Sequence, residues 1–222
     1  GGEPYDCSHS LESYYDRFLK DHPDWFAQGY EGKPPQVCYT SPGLIAQVVQ
    51  DARDFFDGQP KHPGTQAAGN FFAVVPMDNG AYCKCPNCRA QWLDKPKRGA
   101  GLFSNDRVSN YLFGFVNKVA REVTKSHPGK WISTLAYCEY AYPPEGEQIE
   151  PNVSVQMCLQ PRQNYAQAVQ ENDRRILEAW SAAAPKNPKY LWLYYCFPSL
   201  VASQQQYRCF PGFFAHTLLD RL

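Results

Sequence analysis

The sequence predicts an α/β fold, a partial (β/α)8 TIM barrel of parallel strands alternating with covering helices. Three observations carry this. Short apolar runs without alternation, led by Phe71-Phe72-Ala73-Val74-Val75, read as strands covered on both faces. Longer stretches carry apolar residues at helical spacing. From residue 37 onward the two kinds of segment take turns, which is the pattern of a parallel sheet with helices packed on it. Four convincing strands are too few to close an eight-stranded barrel. Either the sheet is open or the 222 residues, read as a single domain, are a slice of a larger barrel, and the abrupt ends favour the slice. Residues 1–36 form a loop-rich opening segment and residues 37–222 the repeating β/α units. No Gly-x-Gly-x-x-Gly and no phosphate loop is present to support a nucleotide fold.

Taken in order, Ser10 to Lys20 is predicted as a short helix, with Leu11, Tyr14, Tyr15, Phe18 and Leu19 at helical spacing and Ser10 as its cap. Asp21-His22-Pro23 ends it, because the residue before proline avoids the α region. A long aromatic loop through Trp25 and Phe26 follows. Gln36 to Thr40 is a short extended piece. Ser41-Pro42 opens a helix, serine as N-cap and proline at the first helical position, with Leu44, Ile45, Val48, Val49, Ala52, Phe55 and Phe56 as its stripe. The strand at 71–75 stops at Pro76, which lacks an N–H, and Asp78-Asn79-Gly80 turns sharply. The longest helix spans Asn105 to about Ser126. Strands are predicted at 131–137, 153–159 and 190–196, with helices over 165–183 and 213–222.

Lys+Arg equals Asp+Glu at 22 each, which argues against a nucleic-acid or anionic-membrane surface. No run of about 18 apolar residues occurs, so no membrane span is expected. No signal peptide is visible, and the chain opens on Gly-Gly without a starting Met. Fifteen tyrosines and five tryptophans give many flat apolar faces, suited to stacking on sugar rings or to filling the core.

Chemistry concentrates after the strand at 71–75. An acid at the carboxyl end of a parallel strand lies where α/β folds place their sites, and Asp78 is there. It reads as a functional carboxylate or as an Asx-turn residue holding the Asn-Gly corner. Glu139 follows the next strand. Neighbouring strands lie about 4.8 Å apart, so the two acids can share one pocket, as the two carboxyl groups of glycoside hydrolysis do. His9, Asn79, Trp25, Tyr137, Trp192 and Tyr195 are candidate substrate-binding residues, the aromatics as sugar platforms or simple packing.

Nine cysteines are an odd number and cannot all pair within the chain. Cys83, Cys85 and Cys88 read as metal ligands, as a disulfide beside a free thiol, or as a redox site. Cys85-Pro86-Asn87-Cys88 has the spacing of a zinc knuckle, and Cys38 is the natural fourth ligand. No adjacent base supports catalytic thiols. Cys138, Cys158 and Cys196 read as small buried apolar residues on strands.

Several segments together resemble an uncharacterised bacterial family (domain of unknown function DUF4838). They are His9 with Phe18 to Ala27, Gln36-Val37-Cys38-Tyr39-Thr40-Ser41-Pro42, Pro76-Met77-Asp78-Asn79-Gly80 with Cys83-x-Cys85-x-x-Cys88, Asn117 to Ala120, Leu135-Ala136-Tyr137, and Trp192-Leu193-Tyr194-Tyr195. The family is grouped with glycoside hydrolases and is distantly similar to α-glucuronidases. The chain departs from its pattern at Met77 and Asn79 around the acid, and at Leu193 where an acid often follows the tryptophan. The resemblance implies a (β/α)8 barrel and a carbohydrate substrate, including oligosaccharides bearing uronic acids. It also implies a secreted or periplasmic setting. The expected function is two-carboxylate glycoside hydrolysis by Asp78 and Glu139, with no cofactor in catalysis and a structural zinc at the cysteines. A non-catalytic carbohydrate-binding domain, or a metal-dependent protein using the cysteine corner, are the other readings.

Overall fold

Five strands line up in sequence order in one sheet, β1 (Ala67–Ala68), β2 (Phe71–Ala73), β3 (Trp131–Ala136), β4 (Val153–Leu159) and β5 (Lys189–Leu193). They belong to a computed structural model that describes residues 2–163 and 166–194. The helix expected at 213–222, Cys196 and the candidate Tyr195 lie outside the described residues. β1 pairs antiparallel with β2, and the remaining pairs are parallel.

This sheet overturns the expected (β/α)8 barrel. Alternation fails at two places among the described residues. β1 returns to β2 through the tight turn at Gly69 (φ 57°), with no helix between them. β3 reaches β4 through a loop holding only a 3-10 turn at Cys138–Tyr140. The extended piece at 36–40 is not a sheet strand. Its backbone bonds go to the 25–27 loop instead, Ala27 N–H to Gln36 C=O at 2.9 Å and Cys38 N–H to Trp25 C=O at 2.7 Å. A buried extended segment needs a partner for its backbone groups, and here a loop supplies it.

The sheet curls into a half-barrel. Phe71 of β2 and Tyr190 of β5 are separated by two strands, yet their ring centroids are 6.0 Å apart. Tyr5, from the segment before the first helix, fits between them, stacked on Tyr190 at 3.7 Å and edge-on to Phe71 at 5.0 Å. That segment is tied to the strand ends by Ser10. Its hydroxyl donates to Ala73 C=O at 2.9 Å and accepts from Val75 N–H at 3.0 Å. Ser10 is therefore not the expected helix cap, and α1 begins later (Ser13–Phe18).

Four further helices are α2 (Pro42–Phe56), α3 (Pro86–Arg89), α4 (Ser109–Thr124) and α5 (Gln167–Ala183). Ser41 does cap α2, accepting from Leu44 N–H at 3.4 Å. α2 and α4 pack on each other, and α4 packs on β3. Trp180 anchors α5, its indole N–H on Ala141 C=O at 2.8 Å and its ring 4.9 Å from Phe113 of α4. No helix among the described residues is long and apolar enough to cross a membrane.

A buried charge holds α1 on α2. Asp51 is 5% exposed and accepts from Arg17 at 2.6 and 2.8 Å, Tyr14 at 2.6 Å and Gln47 at 2.8 Å. Burial alone would raise its carboxyl, but the hydrogen bonds from Arg17, Tyr14 and Gln47 outweigh that and lower it. A lowered folded-state value gives stability that is fully present above the unfolded value of about 3.9 and is lost as pH falls through the folded one. Asp51→Asn is expected to lower stability at neutral pH by about 2 kcal/mol. It should also flatten the acid limb of a plot of urea midpoint against pH.

Candidate active site and cysteine centre

The parallel strands deliver their carboxyl ends to one edge of the half-barrel. β2 runs through Val74-Val75-Pro76 into the turn that carries Asp78. The turn is not held by Asp78. Asn79 holds it, its side-chain oxygen accepting from Ala81 N–H and its amide donating to Pro35 C=O, both at 3.0 Å. The Asx role weighed for Asp78 thus belongs to its neighbour, and the Asp78 carboxylate, 64% exposed, faces outward. His9 Nε2 lies 3.6 Å from it. Nδ1 of His9 donates to Pro76 C=O, which fixes the ring and leaves Nε2 as the nitrogen turned to Asp78. Tyr137, at the end of β3, is within hydrogen-bond reach of the same carboxylate, and burial, then Tyr194 and Asp78, push its phenol well up.

Glu139 lies on the same corner. A Cβ added to Gly80 would sit 3.3 Å from Glu139 Oε2, so this carboxylate packs against the turn two residues after Asp78. Arg107 Nη1 donates to its other oxygen at 2.7 Å. Arg107 is well positioned. The preceding Asp106 is buried and accepts from Lys97 N–H, Arg98 N–H and the Arg98 guanidinium at 2.8, 3.1 and 2.9 Å. The chain around Arg107 bonds directly to the backbone around Glu139, Asn105 N–H to Cys138 C=O at 2.8 Å and Val108 N–H to Glu139 C=O at 2.9 Å. Cys138 between them has φ +50°, a left-handed conformation that costs on the order of 1 kcal/mol for a residue with a Cβ. This kink turns β3 sharply after Tyr137. Cys138 is not on a strand as expected but at the site, where burial, then the charges of Glu139 and Asp78, contribute to a thiol pushed up to about 11.

Aromatic rings extend the corner. Phe103, 49% exposed, is 5.5 Å from Tyr137, and Tyr137 is 6.5 Å from Tyr194. Trp192, also 49% exposed, is 6.1 Å from Tyr194. Trp25 is placed elsewhere. It stacks on His22 at 4.1 Å and covers Gly43 of α2, where an added Cβ would collide with the indole.

The cysteine corner follows the Asp78 turn in the same loop. Sulfur atoms of Cys38, Cys83, Cys85 and Cys88 all fall within 4.8 Å of one another. Pro86 starts α3, and its single turn brings Cys88 back beside Cys85. The seven described cysteines are free, with no S–S bond within this cluster. Cys38 Sγ is 3.6 Å from Cys88 Sγ and 3.9 Å from Cys85 Sγ. A tetrahedron with metal–sulfur bonds of about 2.3 Å has edges of about 3.8 Å. Hydrogen-bond donors surround the sulfurs: Tyr111 O–H and Thr40 Oγ1 each 3.1 Å from Cys88, and Gln28 N–H 3.4 Å from Cys83. Such donors orient thiolates in metal centres. The four cysteines can hold a metal ion, and their geometry and surroundings fit one.

A family model described as a domain of unknown function (DUF4838) matches residues 3–210. The chain belongs to this family. No curated protein and no solved structure matches it. The DUF4838 description carries no activity with it, so function is argued from the side chains themselves.

In this DUF4838 domain Asp78, Glu139, His9, Asn79 and Tyr137 come together at the strand ends, with Trp192 at the end of the aromatic row and the four cysteines gathered nearby. Arg107, Phe103 and Gln36 escaped the sequence reading as site residues, and Cys138 was read as a buried apolar residue on a strand. Gln36 is fully buried, and its amide donates to Met77 C=O, Asn79 C=O and Asn79 Oδ1 at 3.0, 2.7 and 3.1 Å. The one signal for it was its place two residues before Cys38 in an extended segment, where alternate side chains share a face.

Proposed function

We propose that the domain is a carbohydrate-active enzyme of the glycoside hydrolase type, acting on polysaccharide-derived oligosaccharides, uronic-acid-containing ones among them. One observation carries the reading: two carboxyl groups share one corner at the carboxyl ends of parallel strands, and their surroundings differ. Glu139, in its ion pair with Arg107, suits the carboxylate that faces developing positive charge on a sugar ring or activates the attacking group. Asp78, turned outward beside His9 Nε2, suits the group that passes a proton to or from the glycosidic oxygen. Phe103, Tyr137 and Trp192 offer flat faces on which sugar rings stack.

The cysteine centre is read as a structural zinc site. Four thiolate ligands in a tetrahedral arrangement favour zinc or an iron–sulfur cluster, and a site with all four positions filled by protein has none open for substrate. Cys83 and Cys88 have no exposed surface and Cys38 little, in keeping with a closed structural site. Its part in the reaction is to hold the loop bearing Asp78.

The test is release of reducing sugar from a panel of oligosaccharides, uronic-acid-capped xylan fragments among them. Wild type, Asp78→Asn and Glu139→Gln proteins are compared. Turnover by wild type that falls in both variants establishes the glycosidase. Calorimetric binding with no turnover in wild type replaces it with a carbohydrate-binding domain.

A further inference from the structure

We infer that the cysteine metal centre governs the geometry of the Asp78 turn, and that Gln36 is the positioning residue that connects them. This rests on the reading of the cysteines as a metal site and of Asp78 as a functional carboxylate.

The argument begins with the two chain segments involved. Residues 36–40 have no ladder with the sheet; their backbone is bonded to the 25–27 loop. Residues 76–88 also lie outside the sheet, beyond the end of β2. The two segments are joined chiefly by side chains, and the joints fall in two groups. At one end, Gln36 donates to the carbonyls of Met77 and Asn79, which flank Asp78, while Asn79 donates to Pro35 C=O. At the other, Cys38 meets Cys83, Cys85 and Cys88. Gln36 and Cys38 are two residues apart, so one short rigid piece of chain holds both the carboxylate turn and a quarter of the metal site.

Gln36 is itself locked from the cysteine side. Tyr39 O–H donates to its Oε1 at 2.5 Å. The Tyr39 ring packs edge-on against Tyr111 at 5.4 Å, and Tyr111 O–H donates to Cys88 Sγ at 3.1 Å. The path from Cys88 through Tyr111, Tyr39 and Gln36 to the two carbonyls around Asp78 therefore closes back on the loop that carries Cys88. With metal bound, Cys38 and the three loop cysteines share one centre, and the register between the segments is fixed. Without it, four thiols make only weak sulfur hydrogen bonds, and the Gln36 joint loses its fixed register.

The experiment reads amide exchange in peptides covering 76–84, in zinc-loaded and zinc-stripped protein, with no carbohydrate present. Its outcome is thus independent of whether the sugar panel succeeds. Stripping wild type is expected to speed exchange in this stretch by about tenfold while β3 and α4 stay protected. Gln36→Glu keeps the size of the side chain but sets an acceptor against the Met77 and Asn79 carbonyls. It is expected to keep one zinc per chain by elemental analysis and to exchange at the stripped rate in both states. Tyr39→Phe removes only the hydroxyl and preserves ring packing, so it serves if Gln36→Glu folds poorly; the zinc-dependent difference should shrink at least about threefold. Exchange at 76–84 that is the same with and without zinc in wild type overturns the inference. So does a full zinc-dependent difference surviving in both variants.

Discussion

Stripping zinc from the loaded protein is expected to lower its melting temperature by about 10 °C. A ligand held at about a thousandfold its dissociation constant stabilises the folded state by about 4 kcal/mol, and for a domain of this size each kcal/mol moves the midpoint by about 2–4 °C. The physical reason lies in the excursion between β2 and α4. It holds one four-residue helix, α3, far below the length at which a helix stands alone. Its apolar anchors are few: Tyr82 and Trp92 pack around Tyr111, with ring centroids 5.8 to 6.1 Å apart. The four sulfurs and the Gln36 hydrogen bonds are the fastenings between this loop and residues 36–40. Cys88→Ser removes the sulfur that Thr40 and Tyr111 support, and should reproduce most of the loss with zinc present. The check is a thermal melt before and after treatment with a strong chelator, with zinc measured in both samples. A midpoint unmoved in protein shown to be metal-free would mean that thiol contacts and packing suffice, and the zinc assignment would fall.

The difference between what the sequence revealed and what it concealed follows from the range of the interactions involved. The strands at 71, 131, 153 and 190 and the helices after Ser41 and Asn105 were legible, because apolar spacing and a serine–proline cap are local signals. The cysteine centre was legible in part for a related reason: Cys85-Pro86-Asn87-Cys88 is a local spacing, whereas Cys38 was placed beside it by a strand that the structure replaces with an extended segment bonded to the 25–27 loop. The architecture was not. Gln36 to Thr40 is extended with an apolar centre, so it read as the first strand of a repeating series. Nothing in its composition shows that its backbone partners are Trp25 and Ala27. The antiparallel β1, only two alanines, has no signature. Gln36 and Arg107 were invisible because each acts through partners 41–43 and 32 residues away, and no periodicity reports on such pairs. Asp78 was chosen for its position, and the structure supplied what position alone lacked: the neighbouring Asn79, not Asp78, holds the turn.

That exchange of roles makes Asp78→Asn the sharpest functional variant. Turnover on the responsive oligosaccharide is expected to fall by about a thousandfold, within the range of about 10²–10⁴ for a lost proton-transfer group. Stability should barely move. The turn keeps Asn79, Gln36 and the cysteine centre, and the carboxylate removed is 64% exposed with His9 at 3.6 Å as its ionic partner, a surface contact of small energetic weight. Glu139→Gln is less clean. Glu139 is only 21% exposed, and its replacement leaves the Arg107 guanidinium without its charged partner, so a fall in turnover there mixes chemistry with local repacking. The informative measurement is therefore kcat for Asp78→Asn set beside its melting temperature. An unchanged midpoint with a thousandfold loss assigns Asp78 to the chemistry. An unchanged midpoint with unchanged kcat removes it, and leaves Glu139 with Arg107 as the charged pair around which any activity would have to be built.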